Sequence, residues 1–124
     1  MNKQRPVNLD LTTIKMHIAA SVSILHRVSG VILFFAVGIL LWVFSLSLSS
    51  AEEFAQIKLL LDGFFFKLIM LGIISALEFH FLSGVRHLLM DLGHYEELIS
   101  GNASAKFIIA LWFVFTVLSG VWLW

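Results

Sequence analysis

The sequence predicts an all-α membrane protein with three transmembrane helices and a cytoplasmic N-terminus. Composition is the first reason: of 124 residues, 60% are hydrophobic and only 13% charged, whereas soluble domains carry roughly a quarter charged residues. The second is length. Apolar blocks at about 24–49, 64–90 and 105–124 are each long enough to cross a hydrocarbon core of about 30 Å at about 1.5 Å per helical residue. The third is that the joining segments are too short to fold into a domain, so residues 1–124 read as a single membrane-embedded unit.

The first block contains VSGVILFFAVGILLWVFSLSLS, Val28 to Ser49, which carries no charge over 22 residues. Lys3, Arg5, Lys15 and Arg27 precede or open it. By the positive-inside rule they hold the N-terminus in the cytoplasm. The start, MNKQRPVNLDL, lacks the apolar core of a signal peptide and the composition of a transit peptide. The expected location is therefore a bacterial inner membrane, crossed several times. SSAEEFAQIKLLLDG is expected to be a short outer connection.

The second block is interrupted by Glu78, His80, Arg86 and His87, and the polar segment DLGHYEELISGNASAK returns the chain to the third. That block is uncharged from Phe107 onward and ends in VWLW, whose tryptophans suit a membrane interface. Zero formal charge without a basic tract gives no sign of a nucleic-acid partner. With no cysteine in the chain, any thiolate-held iron–sulfur centre must belong to another polypeptide.

HFLSGVRHLLMDLGH places His80, His87 and His94 seven residues apart, nearly two helical turns each. His80 lies on a stripe with Gly72, Ala76, Gly84 and His87. Small residues on either side leave a trough where a flat macrocycle could approach, and haem iron takes imidazole as an axial ligand. The same spacing also serves as a helix-packing seam, so pattern alone leaves both readings open. His80 is about 10 Å deeper than His87 along a straight helix. His26, at the start of the first span, is expected level with His87, and the third span has no histidine. A second axial ligand for His80 is then expected from another polypeptide. His94, after Gly93, is expected on a loop.

SILHRVSG places Ser23, Arg27 and Gly30 on one helix face, with His26 beside them. Arg27 serves as a positive-inside anchor on one reading. On the other, the Ser23 hydroxyl and the guanidinium donate hydrogen bonds to the oxygens of an amphipathic ligand, and His26 with Arg27 pair with carboxylates such as haem propionates. Glu78 is about 200° around the helix from His80 and is expected to make a polar contact with a neighbouring helix, with a proton route as the other reading.

Two segments resemble the cytochrome b membrane-anchor subunit of succinate dehydrogenase, the larger of two anchors in complex II. They are RPVNLDLTTIKMHIAASVSILHRVS, with Arg5-Pro6 and the cluster Ser23, His26, Arg27 and Ser29, and HFLSGVRHLLMDLG, with His80, Gly84, Arg86, His87, Asp91 and Gly93. With the three-span plan, the likeness covers essentially the whole chain. It implies that His80 is the axial ligand of haem b and that a second small anchor subunit supplies the other histidine. It further implies that His26 and Arg27 lie near the propionates and that Ser23 and Arg27 bind quinone. Arg86, His87 and Asp91 match signature positions at the cytoplasmic end, facing the iron–sulfur subunit or the haem edge. Not catalytic alone, the chain would anchor the iron–sulfur subunit and flavoprotein to the lipid and help pass electrons from succinate to quinone in respiration and the citric acid cycle. Two other readings remain: a small proton-coupled carrier using Glu78, and a haem-free structural anchor.

Overall fold

The computed structural model describes residues 16–124. Lys3, Arg5, Pro6 and Lys15, used above for orientation and resemblance, lie outside them. Four helices follow in order: α1 (Ile18–Ser47), α2 (Ala51–Asp62), α3 (Phe64–Asp91) and α4 (Leu98–Leu123). Among the described residues, helices α1, α3 and α4 are the three elements long and apolar enough to cross a membrane. Their apolar side chains mostly face outward, as lipid requires, and the buried core is small: Val22, Phe79 and Ala105, with Ala19 and Trp112 against them.

The connection between the first two spans is itself a helix, α2. Ser50 caps α2 by accepting a hydrogen bond from the Glu53 N–H at 3.0 Å, and Glu52 and Glu53 in the first turn face the positive end of the helix dipole. Phe54, Ile57 and Leu61 of α2 face Leu40, Val43 and Phe44 of α1 across a shallow apolar groove. At its far end Asp62 pairs with Lys67 of α3 at 2.8 Å. The ammonium holds the Asp62 carboxyl below its ordinary range, by hydrogen bond first and by charge second. The pair therefore contributes above the ordinary carboxylate range and is lost as pH falls through the lowered value. Being at the surface, it contributes little.

Two spans also start earlier than the apolar blocks suggest, α1 at Ile18 and α4 at Leu98. Their extra turns are polar because they satisfy each other. The Asn102 side-chain oxygen on α4 accepts the Ala19 N–H at 3.2 Å, one of the donors left orphaned at the start of α1. Arg86 of α3 is only 3% exposed. It donates from Nε to Ser104 Oγ at 2.9 Å and from Nη2 to the Gly101 carbonyl at 3.1 Å. A Cβ at Gly101 would lie 3.1 Å from the Tyr95 carbonyl oxygen, so the returning loop needs a glycine there.

Helix α3 is central, packed between α1 and α4. It ends at Gly93, whose φ of 85° closes the helix: the Gly93 N–H reaches the Met90 carbonyl at 2.9 Å and the His94 N–H reaches Leu89 at 3.0 Å. At the opposite face Phe64 and Trp124 meet with ring centroids 6.0 Å apart. Within the bilayer, α3 and α4 are joined by a polar ladder. Trp112 Nε1 donates to Ser75 at 3.0 Å, and the Ser75 and Thr116 hydroxyls meet at 3.0 Å. Thr116 and Ser119 donate to the two Glu78 oxygens at 3.0 and 2.5 Å. Glu78 thus makes the inter-helix contact expected of it.

A histidine cluster between the first and third helices

Helix α1 brings His26, Ser29 and Gly30 against His80, Gly84 and His87 of α3. The His26 and His80 rings stack, with centroids 4.2 Å apart and planes 12° from parallel. The His26 ring lies 5.0 Å from that of His87, tilted by 48°. His26 therefore sits between the two α3 histidines, not level with His87 alone as depth on straight helices suggests. Glycines allow this approach: a Cβ at Gly30 would fall 3.1 Å from His80 Cε1, and one at Gly84 would fall 3.4 Å from His26 Nε2.

The hydrogen bonds around His80 assign its tautomer. Ser29 Oγ donates to the His26 carbonyl at 2.8 Å. Its lone pairs then face His80 Nδ1 at 3.0 Å, and the same carbonyl lies 3.1 Å from Nδ1. Both neighbours can only accept, so Nδ1 carries the hydrogen. That leaves Nε2 with a lone pair, and it has no hydrogen bond among the described residues. A histidine tied through one nitrogen and open at the other suits axial ligation of haem iron.

Of the expected small-residue stripe, Gly72 and Ala76 border a cavity of about 270 Å³ that is also walled by Leu25, Ile32, Phe79 and Trp112. The donor itself, an imidazole fixed through Nδ1 with Nε2 left over, fits a ligand of haem iron; the cavity is walled by other residues of the same two helices and by α4. Among the described residues, no group of three histidines, cysteines or carboxylates converges as metal ligands. Because the His26 and His80 rings lie face to face, their nitrogen lone pairs run in nearly parallel planes rather than toward a common atom.

Ser23 is half-buried and Arg27 exposed on α1, one turn apart, and Gly30 continues their stripe into contact with His80. The structure thus joins the Ser23–Arg27 face to the histidine cluster. Arg86 is different: it turns inward onto α4 and has no surface to offer a partner. His94 is exposed on the loop, as expected. Ser29, only 5% exposed, is the side chain to which sequence reasoning gave no role. Its signal was a hydroxyl three residues after His26 and beside a glycine. A larger cavity of about 410 Å³ lies between α3 and α4, but it contains no histidine, and its Arg86 is already committed to α4.

Residues 1–119 match the family described as succinate dehydrogenase/fumarate reductase transmembrane subunit. The chain is 41% identical to the succinate dehydrogenase cytochrome b556 subunit of Coxiella burnetii, over 100% of both chains. The Rickettsia bellii cytochrome b556 subunit is 35% identical over 93% of this chain and 90% of its own. The cytochrome b560 subunit of Reclinomonas americana is 29% identical over 98% of this chain and 88% of its own.

Proposed function

The chain belongs to the succinate dehydrogenase/fumarate reductase transmembrane-subunit family, and from that premise we propose that it holds haem b jointly with a second small anchor subunit and forms part of a quinone-reduction site. The observation that carries this reading is His80, fixed through Nδ1 and with no hydrogen bond at Nε2 among the described residues. Haem b, when bound, supplies a one-electron redox centre in the bilayer. His80 would hold the haem iron through Nε2. His26 and Arg27, toward the cytoplasmic end of α1, pair with the propionates. Ser23 and Arg27 donate hydrogen bonds to quinone oxygens, and the guanidinium favours negative charge there as electrons arrive.

In this reading electrons leave succinate at a flavoprotein, pass an iron–sulfur subunit and reach quinone in the bacterial inner membrane. A chain without cysteine requires those relays in other subunits. The Glu78 carrier reading loses its main support, because both carboxyl oxygens are occupied by α4 hydroxyls. The test is a dithionite-reduced minus oxidised spectrum of the purified membrane complex. A b-type band lost in His80→Ala and kept in His94→Ala is the expected result. A wild-type complex with no such band, or a His80→Ala complex with an unchanged one, would overturn the reading.

A further inference from the structure

We propose that Ser29 is a positioning residue for the axial imidazole. Together with the His26 carbonyl, its hydroxyl fixes the His80 ring as the Nδ1–H tautomer, aims Nε2 at the iron and favours the iron's oxidised form. This rests on the haem reading above, and it adds a residue that sets the properties of the site without touching the iron.

Three features of the contact carry the inference. The hydroxyl hydrogen is already used on the His26 carbonyl at 2.8 Å, so toward Nδ1, at 3.0 Å, Ser29 acts as an acceptor. Two acceptors on one N–H, 3.0 and 3.1 Å away, pin the ring's rotation as well as its tautomer. Ser29 is also 5% exposed within a membrane span, where water does not compete and a hydrogen bond polarises its partner more strongly. Drawing Nδ1–H toward an oxygen raises electron density on the imidazole and makes Nε2 the stronger donor. A stronger donor stabilises ferric over ferrous iron and lowers the midpoint potential. Gly30 completes the arrangement: its missing Cβ lets the ring approach closely enough for Ser29 to reach it.

The test compares wild type, Ser29→Ala and Ser29→Thr in the assembled complex. Threonine keeps the hydroxyl and, in a helix, can also donate to a carbonyl one turn back. The readouts are the haem midpoint potential and the low-spin EPR g-values, which report axial-ring orientation. In Ser29→Ala the ferrous form should gain about threefold over ferric at a fixed potential. That is a rise of about 30 mV at 59 mV per tenfold for one electron, with altered g-values. Ser29→Thr should return both toward wild type. An unchanged or lowered potential in Ser29→Ala, or a Ser29→Thr complex displaced as far as Ser29→Ala, would overturn the proposal. If Ser29→Ala loses haem altogether, Ser29→Thr decides: haem at the wild-type potential supports the role of the hydroxyl, and any other result overturns it. A wild-type complex without haem instead removes the parent reading, and this inference with it.

Discussion

On the exposed edge of α1, Arg27 stands one turn after the Ser23 hydroxyl, beside the stacked pair His26 and His80. In the proposed reading a guanidinium there would do two jobs: mark the cytoplasmic end of a span and donate to the oxygens of a bound ligand. Loss of one charged hydrogen bond costs about 1.5–3 kcal/mol, roughly tenfold to hundredfold in rate. Arg27→Ala should therefore slow quinone reduction by about that factor while succinate oxidation with a water-soluble acceptor persists. Equal loss of both activities would place Arg27 in assembly instead. Residue chemistry singled out His80 in the sequence as an ionisable ring in a charge-poor span, and the structure places it against His26 and Ser29. The position of His26 was not legible. Counting rises along straight, parallel rods ignores how far an imidazole reaches, and it ignores the close helix approach that Gly30 and Gly84 permit.

Elements show the complementary pattern. Charge-free runs revealed the middle of each span, because a helix in lipid must be apolar over its whole buried length. They failed at the ends, where polarity signals partners as well as water. Asn102 and Ser104 resemble loop residues until Ala19 and Arg86 are placed against them. The α2 helix was missed for a related reason: its mixed composition hid a legible capping signal, Ser50 followed three residues later by Glu53. The most consequential polar contact between elements is Arg86, which ties α3 to the first turns of α4 through Ser104 and Gly101. Arg86→Met keeps much of the volume but removes both donors, and should destabilise the chain by about 2–4 kcal/mol. The expected observation is a lower thermal midpoint in detergent, with faster proteolysis of the 92–97 loop. A midpoint equal to wild type would show that the Asn102 cap and the Glu78 ladder suffice to hold α4. Ser50→Ala, by contrast, should cost about 1 kcal/mol confined to α2 and leave haem content unchanged.

For the molecule as a whole, the contacts sort the helix ends into two groups. The start of α1 meets the start of α4 through Ala19 and Asn102, and Arg86 near the end of α3 joins the same group. The opposite group holds the end of α1, all of α2, the start of α3 with Phe64, and Trp124. Three spans with these pairings leave one decision, which group faces the cytoplasm, and charge favours the first. Arg27, the proposed haem and quinone site and the α3–α4 loop would then share the side on which soluble subunits dock. Because the natural chain has no cysteine, single cysteines test this cleanly. Ser49→Cys, between α1 and α2, should react with a membrane-impermeant maleimide in intact cells with a permeable outer membrane. His94→Cys, on the α3–α4 loop, should react only after the inner membrane is broken. The reverse pattern would invert the orientation and put the Ser23–Arg27 face on the wrong side of the membrane for electrons from a cytoplasmic iron–sulfur subunit. Protection of His94→Cys even in broken membranes, relieved when the soluble subunits are stripped away, would place the loop beneath them.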